Sequence, residues 1–139
     1  MQKSPAAINR RRRVRKRAEF ERIQREGERV NTRRFVLILS RQLEATLPSR
    51  LGVTASRRVG NAVVRNRAKR VVRDAFRATG DLFRDGVDLV VIVRAALGDT
   101  RVGEVADEWR AAAHVIARRT AQLLARAPGP RKTPGESRR

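Results

Sequence analysis

Residues 51–70 read LGVTASRRVGNAVVRNRAKR. The first part, Leu51–Ser56, alternates apolar and small residues, which predicts a β-strand. Gly60 permits backbone conformations that other residues rarely adopt, and Asn61 can cap a helix, so the strand is predicted to turn directly into a helix. This helix is expected to end near Ala78, because apolar residues recur at helical spacing up to that point. A strand that leads into a helix is typical of α/β and α+β proteins.

The predicted helix has two chemically distinct faces. At about 100° per residue, six apolar residues share one arc: Val64, Ala68, Val71, Val72, Ala75 and Phe76. The opposite arc carries Asn66, Lys69, Arg70, Arg73 and Arg77, with Arg65 and Arg67 at its boundaries. Solvated helix faces usually mix charges, since opposite charges four residues apart stabilise a helix by about 0.2–0.5 kcal/mol. From Arg57 to Arg77 there are eight basic residues and one acid, Asp74, so phosphate binding explains the pattern better than solvation.

The rest of the chain supplies further strands and helices. Apolar runs at Phe35–Leu39 and Val87–Val93 have the length and composition of strands, and a short strand is expected near residues 29–32. Apolar residues at helical spacing predict helices over about 14–26 and 103–125. The predicted fold is an α/β or α+β two-layer sandwich, with about four strands and three helices.

Composition divides the 139 residues into one domain and two basic ends. Residues 1–13 finish in the arginine block Arg10–Arg13 and are expected to form a disordered arm. Residues 126–139, rich in Pro, Gly and basic side chains, are expected to form a disordered tail. A single RNA-binding domain is therefore predicted over residues 14–125.

The net charge of +20 predicts a polyanionic partner, because so large a charge opposes compaction unless it is neutralised. Nucleic acid is the first candidate. No apolar run approaches the roughly 20 residues that span a bilayer, so no membrane segment is expected. The chain has no Cys, which excludes disulfides and thiolate metal sites and favours a cytoplasmic location.

The run Ser56–Arg70 closely resembles the signature of the bacterial ribonuclease P protein family. The triplet Arg65-Asn66-Arg67, eight residues beyond Arg57, matches the family's RNR motif. The resemblance extends over roughly residues 10–125, including Arg17-Ala18-Glu19-Phe20 in the first helix and Arg34-Phe35-Val36-Leu37 in a central strand. It implies a small α/β sandwich whose βαβ crossover is left-handed, as in the second domain of one small-subunit ribosomal protein.

The resemblance also implies how the work is divided between protein and RNA. In the family, an RNA subunit with bound Mg²⁺ removes the 5′ leader of precursor tRNA, so no catalytic residue and no cofactor are expected in the protein itself. The implied partners are the ribonuclease P RNA, bound 1:1, and precursor tRNA, without a membrane or a small-molecule substrate. Residues at the family's RNA-binding positions are Arg57, Arg58, Asn61, Arg65, Asn66, Arg67, Lys69, Arg70 and Arg73.

A cleft for the single-stranded leader is implied as well, and it is expected to be lined by Arg17, Phe20, Phe35 and Ser56. A base stacked on an aromatic ring there would contribute about 1–3 kcal/mol. Either Phe could instead be an ordinary core residue. The family often has a second aromatic residue where this chain has Gln24, so its stacking platform is expected to be thinner.

Three other functions fit parts of the sequence. A ribosomal or histone-like protein would share the charge, but it would not require the Ser56–Arg70 run. A stand-alone nuclease would need clustered carboxylates for metals, and Asp81, Asp85 and Asp88 lack a known ligand spacing. The single histidine, His114, is more typical of a surface or structural residue than of a catalytic one. A peripheral membrane protein would place Trp, Phe and Leu on its inserted face, whereas the basic helix carries Val and Ala.

Overall fold

A computed structural model describes the protein over residues 13–42 and 47–126. The helices are α1 (Arg17–Glu26), α2 (Ala62–Ala78), α3 (Val102–Ala111) and α4 (Ala113–Ala125). The strands are β1 (Glu28–Asn31), β2 (Phe35–Arg41), β3 (Leu51–Ala55) and β4 (Val87–Val93). The predicted arm and tail lie outside the described residues, apart from their inner ends Arg13 and Arg126.

The four strands form one mixed sheet in the order β1-β2-β4-β3. β2 pairs antiparallel with β1 and with β4. β3 pairs parallel with β4, and α2 connects these two strands. The predicted class, with a four-stranded sheet and a βαβ unit, is confirmed. The left-handed crossover stays a prediction.

The sheet is covered unequally on its two faces. On one face, which we call the three-helix face, α2, α3 and α4 enclose a large core in which Leu37 and Trp109 are fully buried. On the other, the α1 face, a smaller cluster joins Ile23 of α1 to Ile38 and Val90. Side chains of successive residues in a strand alternate between the faces. The α1 face is therefore the one that keeps partly open surface.

The predicted helix over 103–125 is two helices in the structure. Ala112 separates α3 from α4, and its N–H donates to the carbonyl of Trp109 at 2.9 Å. This bond spans three residues rather than four, so the last turn of α3 is tighter than an α-helix. A second helix then begins at Ala113. The chain thus has four helices within the described residues, against the three predicted.

The turn before α2 is defined by two residues. Gly60 has φ +152°, and a Cβ there would lie 2.6 Å from Cγ1 of Val64, so a side chain is excluded for two independent reasons. The side chain of Asn61 accepts a hydrogen bond from the N–H of Val64 at 3.0 Å. The predicted cap is confirmed, and it fixes where α2 begins.

No helix within the described ranges is both long enough and apolar enough to cross a membrane.

Candidate nucleic-acid interface

α2 presents a basic surface to solvent. Its predicted apolar arc packs on the sheet, with Ala68, Val71, Val72, Ala75 and Phe76 buried. On the opposite side Asn66 and Arg70 are exposed, while Lys69 and Arg73 are half-buried. The only acid in the helix, Asp74, pairs with Arg77 at 2.6 Å. Among the described residues no acidic side chain forms an ion pair with Lys69, Arg70 or Arg73, so this surface holds uncompensated positive charge.

The two arginines of the RNR triplet bond to backbone carbonyls. Arg67 donates to the carbonyls of Gly98 and Thr100, at 2.8 and 3.3 Å, in the segment between β4 and α3. Arg65 donates through Nε to the carbonyl of Gly60 at 3.2 Å. A guanidinium carries five N–H donors, so each side chain retains donors for a phosphate. Both arginines therefore hold the local backbone in place in addition to any role at the surface.

The turn into α2 extends the basic surface. A 3-10 turn spans Arg57–Val59, and the hydroxyl of Ser56 accepts from the N–H of Arg58 at 3.3 Å. Val59 is buried and anchors the turn, whereas Arg57 and Arg58 are exposed. The structure thus brings Arg57 and Arg58 to the start of α2. Asn61, predicted to bind RNA, uses its side-chain oxygen for capping, so its amide nitrogen is the group left free to donate to a ligand.

The region predicted to form a cleft is a half-buried surface on the α1 face, beside Phe20. The half-buried ring of Phe20 lies against Gly52, where a Cβ would come within 2.8 Å of Cε1. One row further along the sheet, Val36, Ile92 and Thr54 are cross-strand neighbours and all are half-buried. We call the region formed by Phe20 and this row the α1 cleft. Its floor is mainly apolar, which suits a base or a ribose better than a phosphate.

Phe35, predicted to line this cleft, lies on the other side of the sheet. It is fully buried, and its ring packs edge-on against Trp109 with centroids 5.8 Å apart. Its neighbour Val36 occupies the α1 face instead. Phe35 therefore belongs to the core of the three-helix face and does not lie beside Phe20. The sequence did not reveal this, because a continuous apolar run does not show which alternate residues face which side.

Two other predicted cleft residues are exposed at its margins. Arg17 lies one helical turn before Phe20 and pairs with Glu21 at 3.1 Å. Ser56 is exposed just after the end of β3, two residues beyond Thr54. Both residues are exposed, and neither is part of the apolar floor.

An ion-pair network that the sequence did not suggest connects α1 to the sheet. Asp88, fully buried in β4, accepts from the guanidinium of Arg50 at 2.8 Å and from the amide of Gln42 at 2.9 Å. Arg50 also pairs with Glu19 of α1 at 3.2 Å. The hydrogen bond to Asp88 raises the pKa of Arg50 even though burial opposes this. A single Asp within the apolar run Val87–Val93 was the one available signal.

Two of the three aspartates singled out in the sequence are paired with arginines. Asp81 pairs with Arg110 at 3.1 Å, and Asp88 is committed to Arg50. No group of three His, Cys, Asp or Glu side chains in the described part of the chain is placed to hold a metal ion. His114 is exposed on α4.

Comparison with known proteins finds relatives among ribonuclease P proteins. The sequence profile of the family described as Ribonuclease P matches residues 8–117. The ribonuclease P protein component of Desulforapulum autotrophicum is 41% identical over 97 residues, covering 69% of this chain and 80% of the relative. That of Shouchella clausii is 39% identical over 121 residues, covering 86% of this chain and 93% of the relative. The solved RNase P protein of Staphylococcus aureus has a TM-score of 0.64 at 30% identity, covering 78% of this chain and 96% of that one.

Proposed function

This chain belongs to the ribonuclease P protein family, and we propose that it binds both the catalytic RNA and the 5′ leader of precursor tRNA. The family and the names of its relatives establish its involvement in ribonuclease P. Our proposal adds which surface meets which RNA. The basic surface of α2 and its preceding turn dock the RNA subunit, and the α1 cleft receives the leader.

The observation that carries this proposal is the lack of acidic partners on the α2 surface. Asp74, the only acid of the helix, is used by Arg77, while Lys69, Arg70 and Arg73 have no ion pair within the described residues. Their mutual repulsion is relieved when phosphates neutralise them, and each neutralised phosphate releases counterions from the RNA. A polyanion is thus the partner that this surface fits best.

The leader is assigned to the α1 cleft because that region is apolar and partly open. The ring of Phe20 offers a stacking surface, and Val36 and Ile92 provide an apolar floor on which a second base or a ribose can rest. Arg17 and Ser56, exposed at the margins, supply donors for the leader backbone. Single-stranded RNA is favoured over a duplex, because only unpaired bases can be splayed onto such a floor.

We assign the cleavage chemistry to the RNA subunit with its Mg²⁺, in a complex of one protein with one RNA. Two of the three aspartates around the start of β4 are bound to arginines, in the pairs Asp88–Arg50 and Asp81–Arg110. The protein's own contribution is to position the substrate and to neutralise phosphates near the reacting bond.

Reconstitution tests the proposal. The full chain is mixed with a bacterial ribonuclease P RNA at low Mg²⁺, and cleavage of precursor tRNA is followed beside an equally charged, unrelated basic protein. We expect stimulation at the mature 5′ end that the control protein does not give. Equal stimulation by both proteins would reduce the function to general RNA binding.

A variant at Phe20 tests the leader assignment separately. Phe20→Ala removes one stacking ring, so the affinity for leader-bearing precursor tRNA should fall by about 1–3 kcal/mol. The affinity for mature tRNA should stay unchanged, because mature tRNA has no leader to stack. Equal losses for both RNAs would assign Phe20 to the core and not to the cleft.

A further inference from the structure

We propose that Gln24 and Asn31 form hydrogen bonds to the edge of one nucleobase of the leader, so that substrate choice depends on leader sequence at that position. The inference rests on the proposed function, because it takes the leader to lie in the α1 cleft. It goes further by assigning base recognition to two residues with neither a charge nor an aromatic ring. The two residues lie on different elements, Gln24 on α1 and Asn31 on β1.

Gln24 lies on the same flank of α1 as the ring of Phe20. The fully buried Ile23 marks the line along which α1 touches the sheet. At about 100° per residue, Phe20 and Gln24 both lie to one side of this line. Glu19 lies to the other side, where it pairs with Arg50 just before β3 begins. The flank that carries Gln24 is therefore the one that borders the α1 cleft.

The end of α1 brings this flank over β2. A Cβ at Gly27 would lie 2.5 Å from Cγ2 of Ile38, and Gln24 precedes Gly27 by about one helical turn. Val36 is two residues before Ile38 and therefore lies on the same face of the sheet. It belongs to the floor of the α1 cleft and is half-buried. Gln24 thus borders the part of the floor that Val36 provides.

Asn31 borders the same part of the floor from the opposite side. It is the cross-strand partner of Val36, and directly paired residues direct their side chains to the same face. The preceding residue, Val30, is buried in the core of the three-helix face, as the alternation along a strand requires. Asn31 itself is exposed. One amide from α1 and one from β1 therefore flank a single apolar patch.

Neither amide group is used by the protein itself. Within the described residues, no hydrogen bond joins the side chain of Gln24 or of Asn31 to another group. Gln42 shows the contrasting case, because its amide donates to Asp88 at 2.9 Å and accepts from the N–H of Leu47 at 3.2 Å. Each free amide offers an oxygen acceptor and two N–H donors to a ligand. The half-buried Gln24 gains most from such a ligand, since burial limits its contact with water.

Neutral amides suit a nucleobase better than a phosphate. In a chain with 34 basic residues, two uncharged groups beside one apolar patch indicate a ligand group that is itself uncharged. Amides present a donor beside an acceptor, and the edges of nucleobases do the same. A base whose face rests on Val36 turns its edge toward the margins of the cleft, where the two amides lie. This end of the cleft therefore recognises base identity, whereas the ring of Phe20 stacks on any base.

Competitive cleavage by the reconstituted holoenzyme tests the inference. Precursor tRNAs that lack the base of one leader nucleotide at a time compete with the intact precursor, and the ratio of kcat/KM values measures the contribution of each base. With the wild-type chain, we expect removal of the recognised base to lower kcat/KM about tenfold. Bases outside the cleft should contribute little.

Gln24→Met removes the amide but keeps the length of the side chain and its helix propensity. In this variant, removal of the recognised base should lower kcat/KM only about threefold, because the hydrogen bonds are already lost. Asn31→Ala should weaken the effect at the same leader position. Gln122→Met makes the same substitution at an exposed residue of α4 and should leave the effect of every base unchanged.

Two results would overturn the inference. One is an equal effect of base removal at every leader position in Gln24→Met and in Gln122→Met. The other is a position at which Gln24→Met removes the effect of a 2′-deoxy substitution and not that of base removal, since the amide would then contact the ribose. Asn31→Ala keeps the test decisive if Gln24→Met does not fold, because Asn31 is exposed on β1.

The leader assignment is tested independently by Phe20→Ala. A leader-specific loss in Phe20→Ala, without a position-specific change in Gln24→Met, would keep the leader in the α1 cleft and remove this inference. The reverse result would remove Phe20 from the leader site and keep the amides in it.

Discussion

At the scale of single residues, Gly52 determines where Phe20 can lie. A Cβ at position 52 would come within 2.8 Å of the Phe20 ring and 3.0 Å of Val14. Gly52→Ala should therefore lift the ring from β3 and weaken binding of leader-bearing precursor tRNA by about tenfold, as expected when one stacking contact is lost. Equilibrium binding of RNAs with and without a leader measures this effect.

Gly103→Ala is the matched control, because a Cβ at Gly103 meets nothing within 4 Å and its position in α3 favours alanine. The affinities of Gly103→Ala for RNAs with and without a leader should both match those of the wild type. If Gly52→Ala also behaves like the wild type, the ring is not held by that contact.

Single residues also show where sequence reasoning reaches its limit. The Asn61 cap and the buried arc of α2 were predictable, because capping and helical periodicity are local properties. The side of the sheet that Phe35 faces was not predictable, since a strand buried on both faces shows no alternation. For the same reason, the position of Val36 on the α1 face could not be predicted, and an aliphatic residue carries no functional signal of its own.

At the scale of elements, α1 is attached to the sheet by a small apolar cluster and by Arg50. Removing the buried partner in Asp88→Ala leaves Arg50 without its main acceptor, which should destabilise the fold by about 3–5 kcal/mol in urea denaturation. Asp85→Ala, at an exposed residue close by in sequence, should change the midpoint little. Equal effects of the two substitutions would mean that the network contributes nothing specific.

The contact between the turn at Gly80–Leu82 and α3 should depend on pH. The hydrogen bond from Arg110 lowers the pKa of Asp81 below its ordinary value of about 3.9. A carboxyl group whose pKa is lower in the folded state stabilises the fold at any pH above its unfolded-state pKa. This stabilisation is lost as the pH falls through its folded-state pKa. Asp81→Asn should therefore unfold at a lower urea concentration than the wild type at pH 7, and the two midpoints should converge as the pH falls below the folded-state pKa of Asp81.

Asp85→Asn serves as the control for this comparison, because Asp85 is exposed and forms no ion pair within the described residues. Its midpoint should track the wild type over the whole pH range. A constant gap between Asp81→Asn and the wild type down to the lowest pH would exclude the ionised carboxylate as the cause.

The features that were missed are those without a local signal in the sequence. The break at Ala112 occurs in a stretch without Gly or Pro, so no local signal marks it. Arg50 and Asp88 are 38 residues apart, and neither has neighbours in sequence that suggest a pair. By contrast, the span of β4 was predicted over Val87–Val93 and found there, because six of its seven residues are apolar and five of these are β-branched.

At the scale of the whole molecule, the charge of +20 predicts that RNA binding weakens steeply with salt. The fold predicts that most of this salt dependence comes from phosphate contacts at the α2 surface. Arg70→Gln, on the α2 surface, should reduce the slope of log affinity against log salt by about one unit. Arg118→Gln, at an exposed residue of α4, removes the same net charge and should change the slope much less. Filter binding to a ribonuclease P RNA over a salt series measures both slopes. Equal reductions would mean that RNA responds to total charge, whereas a reduction confined to Arg70→Gln assigns the phosphate contacts to α2.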